Sequence, residues 1–215
     1  MGLTENLDSV IKRISRACET SGRETGSVTL IAVTKTVRIE RIREAYDLGI
    51  RDFGENRLQE ALPKIEALPK DIRWHFVGKL QSNKARKAAE AFFALHSLES
   101  KAQLRELEKS SRKVDGLIEI NIAEAPQKFG IFPQRLDEFL VELTECKQVR
   151  FRGLMAIGPN LGDPEAMRPY FKRLRRLNSQ AGGQWLSMGM SADFDVAIQE
   201  GATHIRVGTA LFGAR

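Results

Sequence analysis

Residues 28–53 read VTLIAVTKTVRIERIREAYDLGIRDF, and this stretch decides the fold because it holds a strand, a helix and a second strand in succession. Val28 to Thr34 is a run of apolar and β-branched residues, which is typical of a buried strand. Apolar residues recur at helical spacing from Ile39 to Leu48, and Gly49 follows as a helix-ending residue. Ile50 to Phe53 predicts a second short strand. Two strands joined through a helix in this way lie parallel in one sheet, with a right-handed crossover.

The same alternation of strand and helix continues along the rest of the chain. Further strands are predicted at Arg73–Val77, Phe93–Ser97, Leu117–Ile122, Phe151–Ile157, Trp185–Met188 and His204–Val207. Helices are predicted at Leu3–Cys18, Arg57–Leu68, Lys84–Phe92, Lys101–Ser111, Pro133–Glu145 and Ser191–Glu200. One more helix is capped by Asp163-Pro164 and kinked at Pro169, or begins near Pro169.

The pattern therefore gives eight strands separated by seven helices, with one further helix leading the chain. Eight such units can close into a (β/α)8 TIM barrel, and the leading helix could cover the gap left by the missing last one. An open doubly wound sheet fits the same alternation, but the first strand is not followed by a Gly-x-Gly-x-x-Gly turn. We predict an α/β fold, a TIM barrel with an extra N-terminal helix, as a single domain over residues 1–215.

Composition narrows the function classes. The chain has 215 residues, 42% of them hydrophobic and 29% charged, with a formal net charge of +6. It is too apolar for a disordered protein, and no apolar stretch approaches the ~20 residues that span a bilayer. Cys18 and Cys146 lie far apart without metal-ligand spacing, so a cytoplasmic location is expected. The positive charge permits an anionic partner, but the basic run Lys172 to Arg176 is interpreted as a solvated helix face, not a nucleic-acid site.

Ligands of parallel α/β proteins bind at the carboxyl ends of the strands, and Lys35 stands directly after the first strand. Burial and neighbouring cations there would lower the pKa of its ammonium and make it a competent nucleophile toward an aldehyde. The alternative is a lysine whose charged end reaches water at the barrel rim.

The last two strands are followed by residues that suit an anion. Ser191, Gly208 and Thr209 combine tight turns, hydroxyl groups and a helix start, and TIM barrels often bind phosphate in the loops after strands seven and eight. The alternative is two ordinary turns with Ser191 as a helix cap. Asp193 and Asp195 would have to point away from a bound phosphate.

Arg206 shares a strand face with His204 and Gly208, so its guanidinium is predicted inside the barrel, where it needs an acceptor. A structural salt bridge with Glu119 or Glu55 is the alternative to a functional role. No Asp/His cluster accompanies His75 or His204, so we predict core histidines and no metal site.

Five segments, in order along nearly the whole chain, resemble the pyridoxal 5′-phosphate (PLP) homeostasis protein family, single-domain relatives of the alanine racemase barrel. The segments are IAVTK ending at Lys35, FGENRLQE (53–60), WHFVGKLQSNK (74–84), RGLMAI (152–157) and LSMGMSADFDVAIQEGATHIRVGTALFG (186–213). Two positions depart from the family pattern: Lys79 stands where the family usually has Pro or another residue, and Ile157-Gly158-Pro159 replaces Ile-Pro. Lys79 would add a second amine near the site.

The resemblance implies a role for each site residue. Lys35 would form a covalent aldimine with PLP, and Arg206 would face the pyridine nitrogen. A guanidinium cannot accept the ring proton, so the ring would stay unprotonated and act as a weak electron sink. The phosphate would be held by Ser191, Gly208 and Thr209, while Asn56 and Met188 would line the surroundings of the cofactor.

The expected function is that of a PLP-binding protein in intracellular PLP homeostasis, without catalytic residues of its own. It would carry or buffer PLP reversibly, deliver it to PLP-dependent apoenzymes and influence the balance of amino and keto acids. We expect a cytoplasmic monomer without nucleic-acid or membrane partners. The alternative is a PLP-dependent amino-acid racemase with weak activity, and a third reading is a basic barrel that binds nucleic acid.

Overall fold

A computed structural model describes residues 2–159 and 161–213 of the chain. Its parallel strands follow one another around a closed barrel in sequence order, and the last strand pairs with the first, so the predicted barrel is confirmed. The strands are β1 (Thr29–Val33), β2 (Asp52–Glu55), β3 (Arg73–Phe76), β4 (Ala94–Leu98), β5 (Val114–Glu119), β6 (Val149–Met155), β7 (Trp185–Met190) and β8 (His204–Val207).

Amphipathic helices surround the barrel. They are α1 (Leu3–Thr20), α2 (Ile39–Asp47), α3 (Leu58–Ala67), α4 (Ser82–Ala91), α5 (Lys101–Leu107), α6 (Leu136–Thr144), α7 (Arg168–Gln180), α8 (Phe194–Gln199) and α9 (Thr209–Phe212). The leading helix α1 packs against α8 and the short C-terminal α9, beside the last strand, as expected for a helix that covers the gap.

Strand boundaries differ most from the sequence prediction in β2, β5 and β6. Strand β6 runs from Val149 to Met155, two residues earlier than predicted at both ends. The prediction ended β2 at Phe53, whereas the strand continues to Glu55, because Gly54 and Glu55 pair with β3 as the preceding residues do. The fifth strand begins at Val114 and ends at Glu119, so the predicted range of Leu117–Ile122 is wrong at both ends. The side chain of Asn121 instead closes the following turn.

Helix starts follow the local chemistry of each turn. Helix α7 begins at Arg168 with Pro169 in its first turn, which confirms the second of the two alternatives and needs no kink. The prediction that Ser191 caps the next helix is wrong, because α8 begins at Phe194 after Asp193. Short α9 was not predicted, since only four residues form it.

Inside the barrel, side chains from alternating strand positions fill the interior. All three histidines of the chain lie there, with ring centroids of His75 and His96 5.1 Å apart and those of His96 and His204 6.1 Å apart. His75 and His204 are therefore core residues, as predicted. The expectation that no Asp or His accompanies them is wrong, because Asp52 Oδ1 lies 2.9 Å from His75 Nε2 and His96 lies beside both. Within the described residues, no group of three or more His, Cys, Asp or Glu side chains could hold a metal ion.

None of the helices described here is both long enough and apolar enough to cross a bilayer.

Candidate functional site

A cavity of about 430 Å³ opens at the carboxyl end of the barrel, where the sequence placed the ligand. Its walls come from the ends of β1, β2, β3 and β8, the loop after β7, and residues 157–159 and 161–164 after β6. Six of the seven predicted site residues line it: Lys35, Asn56, Ser191, Arg206, Gly208 and Thr209. The structure thus brings together residues that span most of the chain.

Met188 is the exception. It is fully buried in the hydrophobic core and is not among the described residues that line the cavity. Met190 lines the cavity instead and is 40% exposed. The pairing of β7 with β8 shifts register between Ser187 and Met190, so simple alternation along the strand fails at this point.

Lys35 is exposed at the cavity, so the expected burial of its ammonium is wrong for this structure. The backbone on both sides of it is nevertheless fixed. The Thr34 carbonyl accepts a hydrogen bond from Lys64 Nζ at 2.8 Å, and the Thr34 hydroxyl donates to Glu55 Oε1 at 2.6 Å. Thr36 takes a left-handed conformation with φ of 60°, which is uncommon for a β-branched residue. The lysine therefore extends from a rigid support.

Hydrogen-bond donors gather around Ser191 at another wall of the cavity. The Ser191 hydroxyl oxygen accepts from the backbone N–H groups of Gly208 at 3.3 Å and Ala210 at 3.2 Å. This bonding explains why Ser191 is not a helix cap. The Ser191 hydroxyl hydrogen is left to donate to an oxygen of an anion, and a bound anion would compete with Ser191 for the two N–H groups.

The two acidic residues near this wall behave differently. Asp195 turns away and pairs with Arg13 of α1, as the sequence argument required. Asp193 is buried and still lines the cavity, with its carboxylate accepting from the Met190 backbone N–H at 2.7 Å. Burial raises the pKa of Asp193, which disfavours a negative charge beside an anion.

Arg206 reaches the cavity from inside the barrel and is only 4% exposed. Its Nη1 donates to the Ser187 hydroxyl at 2.7 Å, and its Nη2 donates to the Ala156 carbonyl at 2.9 Å. Neither suggested salt bridge forms within 4 Å: Glu55 pairs with Lys64 at 2.7 Å, and Arg206 has no ion pair among the described residues. Burial lowers the pKa of Arg206 to about 10, so the group stays charged at neutral pH.

Glu119 is a buried acid that the sequence named only as a possible salt-bridge partner. It ends β5 and is 5% exposed. Burial, together with repulsion from Glu99, raises its pKa to about 7, although Arg206 and Lys79 act in the opposite direction. Glu119 therefore supplies at most part of a negative charge near Arg206 at neutral pH.

Asn56 carries an unsatisfied group. Its side-chain Oδ1 is buried without a hydrogen-bond partner in the described structure, and the residue lines the cavity. Gly78 packs against the Asn56 backbone so closely that an added Cβ would lie 2.2 Å from the Asn56 carbonyl oxygen. A ligand with a hydroxyl or N–H donor would satisfy this oxygen.

Lys79 does not share the cavity with Lys35 among the described lining residues. It lines a neighbouring depression with Arg57 and Lys84, and its Nζ lies 3.9 Å from the ring centroid of Phe129. Lys79 therefore lies near the site, as predicted, but its side chain turns to the neighbouring aromatic ring and does not enter the cavity.

Comparison with known proteins agrees with this geometry. The family model described as alanine racemase, N-terminal domain, matches residues 6–215. A pyridoxal phosphate homeostasis protein of Aquifex aeolicus (strain VF5) is 43% identical over 226 residues, which cover 100% of this chain and 99% of that protein. One of Pseudomonas aeruginosa is 40% identical, covering 99% of this chain and 96% of that protein.

Solved structures give the same result. PipY of Synechococcus elongatus PCC7942, determined with PLP bound, superimposes with a TM-score of 0.79 at 38% identity, covering 94% of this chain and 100% of that one. Alanine racemase from Bacillus anthracis, at 18% identity and a TM-score of 0.69, shares the fold and is matched over only 56% of its length. The chain belongs to the family of pyridoxal phosphate homeostasis proteins, which are built on the alanine racemase N-terminal domain.

Proposed function

We propose that this protein binds PLP in the cavity at the carboxyl end of the barrel, with Lys35 as the covalent attachment point. PLP supplies an aldehyde that bonds reversibly to amines. The amine of Lys35 would attack the aldehyde carbon, a C=N bond would form, and the aldehyde oxygen would leave as water. The observation that carries the proposal is an accessible amine, a buried guanidinium and a cluster of N–H and hydroxyl donors around one cavity.

The other residues divide the remaining cofactor contacts among them. Ser191, Gly208 and Thr209 would hold the phosphate, because hydrogen-bond donors already converge there. The unpaired Oδ1 of Asn56 would accept from a donor on the cofactor. Arg206 would face the ring nitrogen. Met188, in the core, would act only through packing.

The chemistry of Arg206 favours a carrier over an enzyme. A guanidinium only donates hydrogen bonds, so the ring nitrogen opposite it would stay unprotonated and stabilise a carbanion poorly. A racemase also needs an acid–base group on each face of the cofactor. Four ionisable residues lie among the described cavity walls: Lys35, Asp163, Asp193 and Arg206. Of the two acids, Asp193 already accepts a hydrogen bond from the Met190 backbone N–H.

In the cell, we propose a homeostasis role: the protein would buffer PLP, deliver it to PLP-dependent apoenzymes and thereby influence amino-acid and keto-acid balance. The names of the similar proteins support this role. We further propose that it works as a monomer in the cytoplasm. The two buried free thiols, Cys18 and Cys146, support a reducing compartment.

Titration of the ligand-free protein with PLP tests the proposal. The wild type should develop an absorbance band that is shifted from the band of free PLP and saturates at one equivalent, and K35A should not. Lys79→Ala is the matched control, because it removes an amine outside the cavity and should titrate as the wild type does. Absence of a band in the wild type would refute the proposal.

The holoprotein is then incubated with L-alanine and L-serine. Unchanged amino acids support the carrier role. Sustained racemisation, or release of keto acid, would favour the racemase alternative.

A further inference from the structure

A buried chain of polar side chains crosses the barrel interior from the start of β2 to Arg206. His75 Nε2 lies 2.9 Å from Asp52 Oδ1, and His75 Nδ1 lies 2.9 Å from His96 Nε2. His96 Nδ1 lies 3.0 Å from the Ser187 hydroxyl oxygen, which also accepts from Arg206 at 2.7 Å. No member is more than 7% exposed. The chain is therefore continuous and shielded from water.

The guanidinium sets the direction of every hydrogen bond in this chain. Arg206 can only donate, so the Ser187 oxygen accepts from it and the Ser187 hydroxyl is free to donate to His96 Nδ1. His96 then carries its proton on Nε2 and donates to His75 Nδ1, and His75 Nε2–H donates to Asp52. In the reverse order, His96 Nδ1–H would also donate to Ser187, and the serine hydrogen would have no acceptor among its described partners.

The charges at the two ends agree with this direction. Burial alone would raise the pKa of Asp52, but hydrogen bonds from His75 and Arg73 bring it to about 2, so a carboxylate ends the chain. Burial keeps the pKa of His96 well below its usual value, so this histidine is neutral and has one proton to give.

Arg206 at the other end is a buried cation without a carboxylate within ion-pair distance among the described residues. An isolated buried charge is costly, and aligned hydrogen-bond dipoles in a low-dielectric interior reduce that cost. In this series of hydrogen bonds every acceptor faces toward Arg206, and the last acceptor is the negatively charged carboxylate of Asp52. It therefore stabilises the cation and holds its orientation.

Asp52 lies far from the cavity. It stands four residues before Asn56, which lines the cavity. Because a strand rises about 3.3 Å per residue, Asp52 and Asn56 are roughly 13 Å apart along the strand direction.

We propose that Asp52, His75, His96 and Ser187 form a one-directional hydrogen-bond relay that orients Arg206 toward the cavity, so that Asp52 controls from the opposite end of the barrel how firmly the ligand is held. These four are positioning residues, since Arg206 alone would touch the ligand. The proposal rests on the proposed function for the identity of the ligand, PLP, but not for the relay itself.

Nitrogen NMR of histidine-labelled protein, without added PLP at neutral pH, tests the relay directly. His96 and His75 should each carry a proton on Nε2 and leave Nδ1 as the acceptor. A proton on Nδ1 of His96 would overturn the direction and with it the proposal.

The release rate of PLP from the holoprotein tests whether Asp52 controls how firmly the ligand is held. Asp52→Asn removes the terminal charge but keeps the size and one acceptor. Its matched control is Asp115→Asn, which neutralises another buried carboxylate, at the start of β5 and outside the relay. Asp115 pairs with Arg150 at 2.7 Å and with Arg152 at 3.0 Å. We expect release to accelerate about two- to thirtyfold in D52N, the range for coupling through packed networks, and less than about twofold in the control.

Equal rates in the two variants would overturn the proposal, because the effect would then come from lost stability alone. Ser187→Ala interrupts the relay in the middle by removing one hydroxyl, and it should also accelerate the release of PLP. This variant replaces D52N in the release assay if D52N does not fold. If the wild type takes up no PLP, the proposed function fails and the claim of ligand control falls with it. The NMR result still decides the relay itself.

Discussion

Replacing Lys64 with Met should destabilise the protein strongly, because it leaves a charge buried without its partner. Lys64 Nζ contacts Glu55 Oε1 at 2.7 Å, and Glu55 is fully buried with its second oxygen, Oε2, lacking any hydrogen-bond partner in the described structure. After the substitution, the Thr34 hydroxyl is the one remaining described donor to this carboxylate.

The expected cost follows from this isolation. Removing one partner of a buried ion pair typically costs 3–5 kcal/mol. We expect the free energy of unfolding in urea, measured at neutral pH on the ligand-free protein, to fall by about 3–5 kcal/mol with an unchanged m-value. The matched control is Lys109→Met, which breaks an exposed pair with Glu106 and should cost less than about 1 kcal/mol.

The double variant Lys64→Met with Glu55→Gln separates charge from packing. A neutral amide in place of the carboxylate can still accept from the Thr34 hydroxyl, so about half or more of the loss should return if the buried charge is the cause. A loss below about 1 kcal/mol for Lys64→Met, or no recovery in the double variant, would refute the reasoning. Because Lys64 also holds the Thr34 carbonyl next to Lys35, the single variant should bind PLP more weakly.

Three further changes have defined outcomes. Glu119→Gln should match the wild type in stability near pH 4 and exceed it by roughly 3 kcal/mol above pH 7. The reason is that the carboxyl of Glu119, with a pKa raised from 4.5 to about 7, stabilises the fold while protonated and loses that contribution as the pH rises through 7. A difference in urea midpoints between E119Q and the wild type that stays constant across this pH range would contradict the expectation. Gly78→Ala should lower both the unfolding free energy and PLP affinity, since its Cβ would meet the Asn56 backbone at 2.2 Å; wild-type values in both assays would show that the loops yield. Arg206→Glu should shift the absorbance of bound PLP by allowing ring protonation, and an unchanged spectrum would count against its placement.

The fold was predictable because strand and helix periods alternate without interruption, and β8 was located at the residues it occupies, His204–Val207. The cavity residues at strand ends were also predictable, since parallel strands bring their carboxyl ends to one rim. Lys35, Arg206 and Gly208 follow from that rule alone.

What the sequence could not show depends on irregular geometry and on contacts across the barrel. Met188 was expected at the cavity from the resemblance alone, whereas Met190 lies there, beyond a register shift after Ser187 that a sequence pattern does not reveal. The contact between His96 and Ser187 joins β4 to β7, 91 residues apart, and depends on how the strands stagger on closure. The sequence shows three histidines in or next to predicted strands, but it does not show which residues they contact.

Borohydride reduction of the PLP-loaded protein, followed by peptide mass spectrometry, identifies the lysine to which PLP is attached. We expect one reduced PLP adduct, on Lys35. An adduct of equal yield on Lys79 or another lysine, or one that persists at wild-type stoichiometry in K35A, would contradict it.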